Sequence, residues 1–531
     1  MKQNDNLQQR LLLALVLSFV VFVVFDMFMP KTAKNIDQNR TATTTQQEQQ
    51  TPNVINTSST TAPTQVSQSL APVTTVKSLT TVKSDKFIYT IDELGRIAQV
   101  KMLEKKFNYE GKPLELLNPA WVKPLEIRFA DISLNKEALK TPYTTSVSNI
   151  DLNNDTSNRV ILTQKLSSLT VTKELTFYKD GHYDINVKLS SPADYFITTG
   201  QRPNADHTRY MVVQGSLIKR KNGKIEILED GDVDETINVQ NAEFASSFDR
   251  YFTSILYNFD KPLKASNIII GEDRDNALVF IQGEQNFALH GYLGAKDSST
   301  LRNINPNLTD AIEYGFFTFI SKPLFKVLEF IHNLVGNWGW SIIFLTILIK
   351  LLLFPLSYKG MMSMQKLKDL APQMKALKEK YGKDPQKMNM KMMEMYKKHG
   401  ANPMGGCLPM ILQIPIFFAL YRVLLNSVEL QGAPWALWIT DLSVMDPYFV
   451  LPILMGISMW YQQRITPNTM TDPMQQKIFQ WLPAVMTVFF ISFPAGLVLY
   501  WLVNNIFTIA QQYVINSAFE KQKAAKIAAK K

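Results

Sequence analysis

Apolar residues gather into long runs near the two ends of the chain, and between them the pattern alternates with a period of two. Leu11 to Met29 is a long apolar stretch preceded by Lys2 and Arg10. No small-x-small cleavage site occurs around Phe25-Asp26-Met27-Phe28-Met29, so the pattern predicts an uncleaved signal anchor over residues 1–30. Residues 31–83 are rich in Thr, Gln, Ser and Asn with scattered prolines. Such a composition buries too little apolar surface to order itself and predicts a disordered linker.

Over residues 84–315 short apolar-polar alternations recur between turn signals. Lys86 to Val100 is broken by Asp92-Glu93-Leu94-Gly95, and LTVTKELTFY meets HYDINVKL across Lys179-Asp180-Gly181. The spacing predicts one large all-β sandwich without long helices. It contains no spaced nucleophile, phosphate loop or ligand cluster, which points to a scaffold or interaction domain. Beyond it, Leu324, Val327, Leu328, Ile331, Leu334 and Val335 share one helical face, predicting an interfacial amphipathic helix over 321–336.

Five more apolar segments follow, at about 338–357, 405–427, 448–463, 478–493 and 495–515. With the first run they predict an α-helical polytopic membrane bundle of six spans. The connection between the first two of these segments carries Lys359, Lys366, Lys368, Lys375, Lys378, Lys380, Lys383, Lys387, Lys391, Lys397 and Lys398. By contrast, Val428 to Pro447 holds Glu429, Asp441 and Asp446 and no Lys or Arg. The positive-inside rule puts the first connection and both termini in the cytoplasm, with the β-domain outside, which is the periplasm of a bacterium with an outer membrane. The basic tail 516–531 agrees.

Within the cytoplasmic segment 358–403, Met361 to Tyr381 and Pro385 to His399 read as a helical hairpin, with a kink at Pro372. Met361, Met362, Met364, Met374, Met388, Met390, Met392, Met393 and Met395 give it an unusual density of flexible thioethers, a surface that accepts varied apolar partners or packs against the bundle. Its lysines imply anionic lipids or ribosomal RNA, and nothing calls for DNA.

One charge changes the picture. Lys350 lies in SIIFLTILIKLLLFPLS, near the middle of its span. A Lys there costs roughly 2.5–3.5 kcal/mol on insertion scales and needs water or a partner. Its side chain reaches about 6 Å, short of the ~13 Å to the Lys359 end of a continuous helix, so snorkelling falls short. Thr346 and Ser357 share its face and define a polar stripe. Further polar or aromatic residues in apolar segments are Gln413, Trp501, Asn504, Asn505 and Thr508, each a cavity candidate or a helix-helix hydrogen bond.

The chain's 531 residues, 46% hydrophobic, leave room for a bundle and a soluble domain. A single cysteine, Cys407, excludes an intrachain disulfide, and five scattered histidines make a metal site improbable. No catalytic residues, metal or cofactor are expected.

Four runs, GNWGWSIIFLTILIK, NPMGGCLPMILQIPIFFALY, TDPMQQKIFQWLPAVMTVFF and FPAGLVLYWLVNN, resemble the YidC membrane protein insertases of Gram-negative bacteria. The resemblance covers Pro323 to Val514 in order. It implies a five-helix insertase core over 337–515, around a hydrophilic groove open to the cytoplasm and lipid. Such a protein places newly made proteins in the inner membrane without ATP, alone or beside the Sec translocon (SecYEG, SecDF), and receives clients from the ribosome. Lys350 falls where the family usually has arginine; it keeps the charge but not the bidentate fork. Tyr500 and Trp501 occupy the family's aromatic pair. A hydrophobic slide for client helices would comprise Ile416, Phe417, Leu420, Val485, Val488 and Phe489, and the hairpin's client face would include Lys366, Lys368, Lys375, Lys378, Met392 and Met393. A secondary transporter or channel is the alternative, but it should show internal repeats and broken helices in corresponding places. A carbohydrate enzyme would need carboxylates in the β-domain placed for catalysis.

Overall fold

The computed structural model describes residues 77–109, 111–205, 212–233, 235–270, 276–381, 384–400, 408–466 and 473–528. The Leu11 to Met29 anchor, the linker up to Val76 and Cys407 lie outside them. The chain divides into two compact units; the described part of one is Asp369 to Gly400, and the other holds the rest.

In the larger unit the strands are β1 (Ser78–Lys83), β2 (Phe87–Asp92), β3 (Ile97–Met102), β4 (Asn108–Tyr109), β5 (Lys112–Glu115) and β6 (Ile127–Phe129). There follow β7 (Asn149–Asp151), β8 (Ser157–Lys165), β9 (Thr170–Tyr178), β10 (His182–Leu189), β11 (Tyr195–Thr198) and β12 (Gly215–Arg220). The last are β13 (Ile225–Glu229), β14 (Asn238–Phe248), β15 (Phe252–Tyr257), β16 (Leu263–Ile270), β17 (Asn276–Gln282) and β18 (Asn286–Ala295). They form a 6-stranded sheet in the order β4-β5-β3-β2-β1-β7 and a 12-stranded sheet running β6-β11-β17-β16-β14-β15-β18-β10-β9-β8, with β12 and β13 attached at β14. One core joins the two, for Tyr89 of the smaller sheet packs edge-on to Phe177 of the larger, centroids 5.9 Å apart.

Period-two burial explains the pairing. Along β9, Val171, Leu175 and Phe177 point inward while Thr172, Glu174 and Thr176 face out. Leu175 sits opposite Ile185 of β10, and the turn between the strands closes on Gly181 at φ +93°. Lys173 breaks the rule by pointing inward, and its ammonium donates to the carbonyls of Gly95 (2.9 Å) and Leu125 (2.8 Å).

Three expectations need correction, and one short helix adds to the predicted strands. Strand β1 lies inside the stretch assigned to the linker; its Thr-rich sequence hides the alternation that buries Thr80 and Val82. A short helix, α1 (Ile132–Ala138), interrupts the strands, capped by the Asp131 side chain. After α2 (Ser298–Ile304), helix α3 (Thr318–Val335) begins three residues early and buries Ser321, Phe325 and Leu328, so the apolar face is rotated from the anticipated one and Leu334 is 71% exposed. The apolar segment at 338–357 is not one helix. It is α4 (Trp338–Leu352) followed by α5 (Phe354–Tyr381), bent by 64°. Pro355 is the cause: it has no N–H for the Leu351 carbonyl, and its ring belongs in the first turn of a new helix.

The hairpin unit contains the end of α5 and α6 (Pro385–His399), and α5 runs through Pro372 as a single element. Asp384 caps α6 by accepting from Lys387 N at 3.1 Å, and the Tyr396 hydroxyl reaches Met374 Sδ at 3.6 Å across the hairpin. The remaining helices are α7 (Leu408–Asn426), α8 (Val450–Ile465), α9 (Pro473–Phe490) and α10 (Ala495–Ala528), the last continuing through the segment read as a basic tail. Among the described residues no single helix is long and apolar enough to cross a membrane, although α4 and α5 together pass as a bent pair.

The larger sheet's outer face continues into the helices. Leu217, Phe244, Phe248 and Ile255 share a core with Leu301, Leu308, Phe325, Leu328, Leu420 and Val423. At this seam Arg250, in the β14–β15 turn, donates from Nε to the Leu425 carbonyl at 2.7 Å, satisfying an end of α7 that has no intrahelical donor. Next to it the Glu429 carboxylate accepts from Ser298 N at 2.9 Å. Burial, and then the nearby Asp297 charge, push the Glu429 carboxyl up to about 7.

Two outcomes follow from these contacts. A Cβ on Gly339 of α4 would lie 2.2 Å from the Trp435 ring. Gly339→Val is expected to cost about 1–3 kcal/mol or more, read as a lowered melting temperature in detergent. Glu429 holds a proton more tightly folded than unfolded, so its contribution is present at low pH and lost as pH rises from the unfolded carboxylate range through about 7. Glu429→Gln is therefore expected to retain more of its melting temperature than the parent between pH 5 and 7.5; parallel curves would refute this.

Candidate functional site

Four neighbouring helices converge beneath the α4–α5 bend. Gly336, at φ +72°, ends α3, and Asn337 immediately caps α4 by accepting from Trp340 N at 3.1 Å. Asn337 also donates to the carbonyls of Pro434 (3.0 Å) and Trp435 (3.2 Å), which fixes where α4 starts. From there the helical period carries Thr346 and Lys350 onto one side, and on α10 it aligns Tyr500, Asn504 and Thr508.

Between these faces lies a small cavity, part of it open to the outside. Its polar lining is Thr346, Lys350, Ser357, Gln413, Tyr500 and Asn504; its apolar lining is Ile349, Leu353, Leu356 and Ile416. The bend brings Ser357 here, at the start of α5, and not the straight-helix spacing from which the sequence reading placed it.

Lys350 is 8% exposed, and its ammonium donates to Thr508 Oγ1 at 2.9 Å. The Thr508 hydroxyl donates in turn to the Asn504 carbonyl at 2.7 Å. Asn504 Oδ1 accepts from Gln413 Nε2 at 2.5 Å, and Gln413 is also hydrogen-bonded to the Tyr500 hydroxyl. Thr346 donates to the Ile342 carbonyl within its own helix, at 2.7 Å. Among the described residues no carboxylate pairs with Lys350; the ion pairs Arg302–Glu329, Lys322–Asp310 and Lys391–Glu394 involve other groups. A fixed cation in a polar-lined pocket can attract a carboxylate or hold water.

The remaining candidates divide. Asn505 is buried and donates to Ser458 Oγ at 3.2 Å, so it pins α10 to α8 and does not line the cavity. Trp501 stands edge-on to Phe417 at 4.7 Å and packs on Phe490 at 5.1 Å. Of the slide residues, Ile416 lines the cavity and Phe417 and Phe489 are half-buried, whereas Val485 and Val488 are exposed on α9. Leu420 is 1% exposed and packed in the core, with no surface to offer a client. In the hairpin region Lys368 and Lys375 are exposed, Lys366 and Met392 half-buried and Met393 exposed; the Lys378 side chain lies outside the described residues. The sequence reading missed Leu353 and Leu356, which recognising Pro355 as a helix start would have found, and Ser458, which carries no pattern signal.

The larger unit thus joins a β-rich region to a helical region in which, among the described residues, Lys350 is the buried cation. Residues 79–327 match the family described as YidC periplasmic domain, and residues 330–523 match 60Kd inner membrane protein. The chain is 49% identical to the membrane protein insertase YidC of Campylobacter jejuni, over 98% of each chain, and 47% identical to that of Wolinella succinogenes, over 98% of this chain and 97% of that one. A crystal structure of an active YidC insertase with its first transmembrane domain resolved covers 83% of this chain and 95% of its own, at TM-score 0.35 and 18% identity, too loose a match to bear on helix placement. The chain belongs to the YidC membrane protein insertase family.

Proposed function

We propose that this chain inserts and helps fold newly synthesised inner-membrane proteins through a positively charged hydrophilic groove, without ATP, alone or with the Sec translocon. The observation that carries the reading is Lys350, buried beneath the bend and held by Thr508 within a cavity of polar side chains. Moving a polar tail across hydrocarbon is opposed by desolvation, and a wet, charged recess lowers that barrier by replacing bulk water partway. The client's apolar segment then leaves sideways into lipid, where burial at about 25 cal/mol per Å² drives it forward. Exposed Val485 and Val488, with Ile416 and Phe417, are the proposed path.

Six spans, five of them forming the core over 337–515, put both termini and the 358–403 hairpin in the cytoplasm and the β-rich region, extended back to β1, in the periplasm. Apolar side chains standing outward on Ile453, Ile457, Trp481, Val488 and Ile506 support a lipid-facing surface. Nascent membrane proteins, SecYEG and SecDF, the ribosome and anionic lipids are the proposed partners.

The test is reconstitution of the protein alone in nucleotide-free liposomes, with protease protection of a two-span client bearing an acidic translocated loop. Protection above empty liposomes is expected. Lys350→Glu should lower it at least about tenfold, the effect of ~1.4 kcal/mol on a barrier, while Lys350→Arg stays active. Equal protection by the Glu variant would overturn the electrostatic role. Removing residues 366–398 should reduce crosslinking to ribosome-bound clients while the melting temperature of the remainder holds; unaltered crosslinking would contradict the hairpin's role.

A further inference from the structure

We propose that Thr508 is a positioning residue that sets the charge preference of the groove by fixing the direction in which the Lys350 ammonium points. This inference rests on the groove reading above and names a second residue through which it works.

The argument starts from the lysine itself. An ammonium is a compact charge with three rotatable donors on a flexible four-carbon stem, whereas a guanidinium presents a rigid fork whose direction the side chain already determines. A lysine therefore aims its charge only if something outside it supplies a fixed acceptor. Thr508 does so from α10, one turn beyond the cavity-lining Asn504, with its Oγ1 2.9 Å from Lys350 Nζ. The threonine is itself held, because its own proton goes to the Asn504 carbonyl at 2.7 Å, which leaves its lone pairs turned toward the lysine. One ammonium donor is thereby engaged and two remain for the cavity. Asn504 closes the arrangement from the same helix, with its side chain bonded to Gln413 of α7. Thr508 thus acts on a client's carboxylate only through Lys350.

The consequence is a selectivity effect, not a general one. Without the hydroxyl, Lys350 keeps its charge but is free to rotate away from the cavity, so clients with acidic translocated loops suffer more than otherwise identical clients with neutral loops. The experiment measures the ratio of acidic-loop to neutral-loop protection in liposomes holding the full-length protein, for the parent, Thr508→Val, Thr508→Ser, Lys350→Gln and the Lys350→Gln/Thr508→Val pair. Thr508→Val is expected to lower the ratio roughly tenfold, the size of a lost hydrogen bond to a charged group, and Thr508→Ser to restore it. Once Lys350→Gln has removed the charge, adding Thr508→Val should change the ratio no further. If Lys350→Gln lowers the ratio and Thr508→Val does not, the positioning role is overturned and the groove reading stands. An equal loss for both clients in Thr508→Val, unrescued by serine, would make the threonine merely structural and overturn it as well. A ratio indifferent to Lys350→Gln would bring down the groove reading and this inference with it.

Discussion

Burying an ammonium among apolar helices costs several kcal/mol unless polar atoms replace the water it gives up. In this chain two neighbouring helices supply them. Thr508 and Asn504 come from α10, Gln413 from α7, and Lys350 sits in the last turn of α4. The requirement runs outward from there. For Lys350 to face α10, α4 must start where Asn337 caps it and pack as closely as Gly339 permits against Trp435. For Gln413 to reach Asn504, α7 must keep its axial position, which the Arg250 contact at its far end helps to hold.

The β-rich region obeys a different economy. Its sheets are built by period-two burial, and their polar interior is self-contained: Arg96 bridges Asp92 and Glu126, and Glu126 in turn meets Arg128, all nearly without solvent. Such a network adds little net stability but penalises any packing that separates its members. A carbonyl-bound Lys173 works the same way between Gly95 and Leu125. The polar groups that tie this region to the helices, Arg250 to the Leu425 carbonyl and Glu429 to Ser298 N, are buried beside that shared core.

What was legible in the chain depended on whether a signal was local. Lys350 stood out because one charge in an apolar run has no cheap explanation, and β9 and β10 because alternation and a Lys-Asp-Gly turn are written in consecutive residues. The 64° bend was missed although Pro355 marked it, since uninterrupted hydrophobicity was read as an uninterrupted helix. Strand β1 was lost to its threonines, whose polarity concealed their β-branched shape. Leu420 and Asn505 could not be placed from the sequence for a deeper reason. Which side of an apolar helix faces a cavity, a neighbour or lipid is decided by partners far away in sequence, such as Ser458 for Asn505.

The shared core at the seam carries a consequence for anyone exchanging parts between relatives. Leu217, Phe244, Phe248 and Ile255 belong to strands, yet the side chains that complete their packing lie on Leu301, Phe325, Leu420 and Val423. A chimera joined at the end of β18 would cut the molecule where its chain is simple and its interior is not. The unit of recombination is instead a sheet face together with α2, α3 and the second half of α7, residues that must be inherited jointly although α4, α5 and α6 come between them in sequence.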